Sequence, residues 1–177
     1  MSSAPPDDVI HLDRTDGVAT ITLDRPAERN ALTPALFQAL GARFDEVAAN
    51  PEDRVLVLTG TGEAFCTGAD LTGGGDDANR LDEGQVSIAL WIRDVTSAAL
   101  ALHRVQKPSI ATVNGTAGGG GCNLALGCDI VFAAESARFA ETFVNRGLHS
   151  EAGRQVRRPL GAPRSMNLRA QVRRSRP

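Results

Sequence analysis

The sequence predicts an α/β domain whose strands are joined by crossover helices. Three features carry this expectation. Short β-prone runs alternate with longer stretches of helical period, and glycine-rich turns separate the two kinds of element. Residues 55–59 (Val-Leu-Val-Leu-Thr) are apolar without alternation, as in a strand covered on both faces.

In chain order, residues 9–14 and 18–23 form the first two runs, with Thr15-Asp16-Gly17 between them. Asp-Gly in that setting is a hairpin signal. Ala19, Ile21 and Leu23 fall on one face of the second run, Thr20 and Thr22 on the other. Residues 24–31 make a polar turn. A helix then starts with Thr33 as N-cap and Pro34 at its first position. Leu36, Leu40, Phe44 and Val47 give it one apolar stripe, and Asn50-Pro51 ends it. Beyond 55–59 and the glycines 73–75, Ile88, Ile92, Val95, Ala99 and Leu102 mark a longer amphipathic helix that stops at Lys107-Pro108. Residues 109–113 and 130–134 are expected to be two further buried strands. No repeat is visible in the sequence, so a solenoid of identical units is not indicated.

A chain of 177 residues with 42% apolar content suits one domain with its own core. With six Phe, one Trp and no Tyr, that core must rest on Ala, Val, Leu and Ile. No apolar run is long enough to span a bilayer, and residues 1–8 have neither the basic nor the apolar part of a secretory signal. Cys66, Cys122 and Cys128 contain no CxxC pair, so neither a disulfide framework nor a metal site is expected, and a reduced, cytoplasmic setting is. The net charge of −2 hides a division. Residues 1–153 hold 11 Lys+Arg against 21 Asp+Glu, net −10, whereas residues 154–177 hold eight Arg and no acid, net +8.

Two turns are candidates for chemistry. Residues 64–71 (Ala-Phe-Cys-Thr-Gly-Ala-Asp-Leu) follow the strand ending at Thr59. The tract Gly118-Gly119-Gly120-Gly121 follows the strand ending at Val113 and opens a short helix near Cys122. Four successive glycines let a ligand atom reach backbone N–H groups, and a helix N-terminus adds partial positive charge; both suit an anionic oxygen. A Walker loop is excluded because no Gly-Lys-Ser/Thr follows. A dinucleotide turn would satisfy GxGxxG only trivially, and the acid that should meet the ribose is not in place. For the tract by itself, a tight strand-to-helix connection without ligand is the plain alternative.

The segments Asn30-Ala31-Leu32, 64–71, 107–115, 118–122 and Cys128-Asp129-Ile130 occur together, in an order, spacing and wording that resemble the crotonase (enoyl-CoA hydratase/isomerase) superfamily. The resemblance runs from about residue 9 to residue 153. It implies a crotonase/ClpP-like spiral of ββα units, incomplete at the C-terminus, with residues 1–8 disordered and 9–153 forming an acyl-CoA-binding core. The implied substrate is an acyl-CoA thioester, with CoA as part of the substrate and no separate cofactor. By position, the thioester carbonyl would lie between the backbone N–H groups of Ala69 and Gly120. Chemistry at the α- and β-carbons passes through an enolate, and one donor to that oxygen is worth about 10²–10³ in rate. CoA would lie along the 26–30 turn, including Ala27, and along Ala69, Asp70 and Leu71, with Arg25 and Arg29 meeting its phosphates. Solvated arginines, a small residue in a tight turn at Ala69 and a helix-capping Asp70 are the plain alternatives.

Hydratases of the family activate water with two glutamates, and this sequence departs at both places. Asn123 stands at the first. Phe143 stands at the second, or Glu141 if the register slips by two. An amide can orient water but cannot take a proton near neutral pH. Glu151, in His149-Ser150-Glu151-Ala152-Gly153, resembles the acid with which some isomerases of the family move a proton between carbons. A solvated loop acid is the alternative there. Double-bond isomerisation is therefore expected ahead of hydration.

Residues 154–177 lack acids and Phe and show no sustained apolar stripe, so a disordered tail is expected there. Helices that build a homotrimer or hexamer in the family are not recognisable in it. The expected origin is a frameshift or premature end in a GC-rich coding sequence, since out-of-frame reading of such DNA produces this Arg, Pro, Ala and Gly bias. A basic arm for nucleic acid is the competing explanation, but no aromatics are interleaved for stacking, and no nucleic-acid or membrane partner is expected. Three function classes follow: an acyl-CoA isomerase or hydratase, an inactive acyl-CoA-binding remnant, and a nucleic-acid binder.

Overall fold

Asp16 and Gly17 both take positive φ (52° and 81°), as a two-residue hairpin turn demands. In this computed structural model, which describes residues 8–70, 81–140 and 172–174, they join β1 (Ile10–Thr15) to β2 (Val18–Leu23). The two strands pair antiparallel, from Thr15 opposite Val18 to Ile10 opposite Leu23. The remaining strands of the main sheet are β3 (Val55–Gly60), β5 (Ser109–Val113), β7 (Ile130–Ala133) and β9 (Val172–Arg174). The sheet order is β1-β2-β3-β5-β7-β9, and every pair after the hairpin is parallel.

A second, smaller sheet consists of the parallel strands β4 (Ala64–Cys66), β6 (Thr116–Gly118) and β8 (Arg138–Ala140). Each main-sheet strand β3, β5 and β7 hands on to one of these within a few residues, and a helix follows the first two pairs. The chain thus climbs by ββα turns although its sequence shows no repeat. What recurs is backbone geometry, carried by different side chains at each turn.

α1 (Pro34–Ala49) is capped as expected: Thr33 Oγ1 accepts from the Leu36 N–H at 3.3 Å, and Pro34 occupies the first turn. Its buried stripe is Leu36, Phe37, Leu40, Gly41, Phe44 and Val47. At its far end the Lys107 ammonium donates to the Val47 and Asn50 carbonyls, a cation on the negative end of the helix dipole. α2 (Leu81–Arg104) crosses α1 where Gly41 faces Ala98, and buries Ala98, Ala99, Ala101 and Leu102. Together with one face of the sheet (Ala19, Ile21, Leu23, Leu56, Leu58, Ala111, Val113, Val131) these helices enclose the core. Arg14 ties β1 to this layer, donating to the buried Asp53 carboxylate at 3.0 and 3.1 Å and to Glu46 of α1 at 3.0 Å.

One expectation is corrected. Among the described residues the main strands alternate a buried face with a partly exposed one. β3 alternates buried and half-buried residues, and in β7 Ile130 and Phe132 are 43% and 37% exposed on the side away from the helices. The continuous apolar run reflected β-branched preference for the pleat rather than two-sided burial. Within residues 154–177, Val172–Arg174 add a strand to β7 through parallel pairing of Val131 with Val172 and Ala133 with Arg174. An open sheet edge offers backbone hydrogen bonds to any extended segment, whatever its side chains. The rest of 154–177 lies outside the described residues. Among the described residues no helix is long and apolar enough to cross a membrane, and no cluster of metal-ligating side chains occurs.

Candidate active site

The two glycine turns meet. β4 and β6 are parallel neighbours, so the segments that leave them, Thr67-Gly68-Ala69-Asp70 and Gly118 to Gly121, run side by side. Gly68 has φ +90°, a conformation that L side chains rarely adopt. A Cβ placed on it would lie 2.8 Å from the Gly118 oxygen and 2.9 Å from the Gly120 nitrogen. Behind this contact a Cβ on Gly121 would lie 2.0 Å from the Cys66 carbonyl oxygen. The tract is glycine because two backbones touch there.

This contact fixes where the N–H groups of Ala69 and Gly120 go. Ala69 sits opposite Leu32 in an isolated parallel bridge: the Leu32 N–H donates to the Gly68 carbonyl at 2.8 Å and the Asp70 N–H to the Leu32 carbonyl at 3.0 Å. In a parallel bridge the central residue turns its own N–H to the opposite side. The Ala69 N–H therefore faces away from Leu32. Gly120 is the first residue of α3 (Gly120–Gly127), where an N–H has no intrahelical acceptor. Neither N–H takes a backbone acceptor among the described residues. Gly119 (φ 48°) holds the turn, donating to the Ala140 carbonyl at 2.8 Å, and the Phe37 ring packs against Gly120.

The 24–32 turn is fastened to the same place. Asn30, fully buried with φ 56°, donates from Nδ2 to the Thr61 and Ala64 carbonyls at 2.9 and 2.8 Å, and its Oδ1 accepts from the Arg25 N–H at 2.7 Å. The Arg29 carbonyl accepts from both the N–H and the hydroxyl of Thr67. Arg25 donates to the Ala31 carbonyl and, at 3.1 Å, to Asp70 Oδ2; its side chain is 15% exposed and that of Asp70 8%. Arg25 thus has an internal partner where the sequence suggested a CoA phosphate. Arg29 and Ala27 are exposed on the same turn. Asp24, at its start, accepts from the Thr61 hydroxyl at 2.7 Å and from His11, and the Thr61 contact above all holds its carboxyl below the usual range.

Asn123 is buried in the first turn of α3, three residues past Gly120. Cys66 is fully buried, and burial pushes its thiol up to about 12, so at neutral pH it is a protonated core residue that accepts from the Gly68 N–H at 3.4 Å. Leu71, Glu141, Phe143 and Glu151 lie outside the described residues. Asn30 was part of a recognised segment, but its role as a buried clip was not foreseen. Its signal was an amide residue in a polar turn, the side chain that best tolerates positive φ.

A family model described as enoyl-CoA hydratase/isomerase matches residues 13–170. The chain belongs to that family. The match extends past residue 153, where the sequence resemblance was placed. A probable enoyl-CoA hydratase of Rhodobacter capsulatus is 37% identical over 161 residues, covering 90% of this chain and 60% of its own length. The 1,2-epoxyphenylacetyl-CoA isomerase of Escherichia coli is 36% identical, with 86% and 58% covered. Among solved structures, the enoyl-CoA hydratase of Mycobacterium smegmatis superposes with a TM-score of 0.71 at 37% identity, over 81% of this chain and 54% of that one. The fold of this enoyl-CoA hydratase/isomerase family member is of the crotonase type. The chain spans between half and two thirds of the length of these relatives.

Proposed function

We propose that this family member binds an acyl-CoA thioester and holds the oxygen of its enolate between the Ala69 and Gly120 N–H groups, shifting a double bond rather than adding water. The observation that carries the proposal is the contact of Gly68 with the glycine tract. It leaves two neighbouring backbone donors with no backbone acceptor among the described residues. Two fixed donors suit an oxygen on which negative charge grows, since little reorganisation is needed as it forms. Asn123 disfavours hydration, because its amide cannot accept the proton that water must lose. In the proposed reaction one carboxylate, Glu151, removes a proton from one carbon of the enoyl chain and returns it to another. One C–H bond breaks and one forms, with the electron pair held meanwhile by the thioester oxygen.

The test offers the purified chain a 3-enoyl-CoA and a 2-enoyl-CoA and follows both by chromatography. Interconversion of the two that is lost in Glu151→Gln is the expected result. Water addition that survives Glu151→Gln would overturn it. A second reading, thioester binding without turnover, is favoured by the same buried Asn123. Its signature is binding of either compound with neither consumed.

A further inference from the structure

We infer that Arg25, acting through Asp70, is a positioning residue for the Ala69 N–H. The inference rests on the proposed function and deepens it. The Ala69 peptide is fixed from two directions. On one side Gly68 lies against Gly118 and Gly120. On the other, the bridge to Leu32 depends on the Gly68 carbonyl and the Asp70 N–H.

A single guanidinium nitrogen of Arg25 spans that bridge. It donates to the Ala31 carbonyl on the Leu32 side and to the Asp70 carboxylate on the Ala69 side. The base of the Arg25 side chain is itself anchored, because its backbone N–H donates to the buried Asn30. Arg25 and Asp70 are both mostly removed from water, so their attraction is weakly screened and their geometry well defined. The planar guanidinium fixes the directions of the two N–H bonds on that nitrogen, so holding two acceptors gives direction as well as charge. The pair thereby sets the position and tilt of the peptide that offers the Ala69 N–H, without itself touching the thioester.

The test uses acetoacetyl-CoA, whose enolate has its own near-ultraviolet band, titrated over pH in the presence of the full chain, with binding measured separately by calorimetry. Wild type should raise the bound enolate fraction relative to free ligand. Asp70→Asn, close in shape but uncharged, should lower that fraction by about 10-fold or more, as a small misplacement of a reacting group does. The fraction is read at saturating ligand, with affinity for a CoA thioether lacking the carbonyl measured alongside, so that lost CoA contacts at this segment do not count as lost enolate. Arg25→Lys, which keeps the charge but not the planar guanidinium, should fall between the two, and it supplies the same readout if Asp70→Asn fails to melt cooperatively. Ligand bound by wild type with no enolate band would remove the proposed function and this inference with it. An enolate fraction that is the same in wild type and variants, even with a lower melting temperature, would remove the positioning role alone.

Discussion

Gly121 is a position where a single atom decides the outcome. A Cβ there would sit 2.0 Å from the Cys66 oxygen, and the obstacle is backbone at both ends, so no rotamer relieves it. Gly121→Ala should cost about 1–3 kcal/mol or more in urea unfolding, the range for overpacking a closed site. An unchanged midpoint would mean that the two turns are not in contact. The tract itself was legible from the sequence, because four glycines in a row announce a place without room for side chains. What they make room for was not, since Cys66 is 55 residues earlier and only the parallel pairing of β4 with β6 brings it close. Asn30 teaches the same lesson. Its type suggested a turn, but its acceptors at Thr61 and Ala64 are set by tertiary structure.

Elements of regular period were read from the sequence nearly to the residue. The strand at 18–23, the strand at 109–113 and the Thr33-Pro34 helix start all stand where patterning put them. The smaller sheet was not read, because strands of three residues are too short to show a period. The ties between elements were equally hidden. One of them, from Arg14 in β1 to Glu46 in α1, is open to a pH experiment. Arg14, and after it Arg43, hold the Glu46 carboxyl below the usual range. A lowered folded-state pKa means that this stability is present above the ordinary glutamate range and is lost as pH falls through the folded value. Both side chains are more than a third exposed, so the contribution is under about 1 kcal/mol. The stability gap between wild type and Glu46→Gln, from urea melts, should therefore be small and positive at pH 7 and close as the pH is lowered toward 3. A gap that widens on acidification would contradict the assignment.

At the scale of the whole molecule, the two sheets and the α1–α2 layer bring two loops together. The main sheet fixes where β3 and β5 end, the smaller sheet sets their continuations side by side, and the α1–α2 layer supports them from one face. The family and its fold were legible because several separated segments share one order. The reaction is less so, because Asn123 departs from the acid expected there. Isotope-edited infrared spectroscopy of bound crotonyl-CoA, labelled with ¹³C at the thioester carbon, reads whether the Ala69 and Gly120 N–H groups hold the thioester carbonyl. Two fixed donors should polarise the bond and move its stretch to lower wavenumber than in free ligand. A bound ligand whose carbonyl stretch is unshifted, or no binding at all, would rule out the Ala69–Gly120 oxygen site.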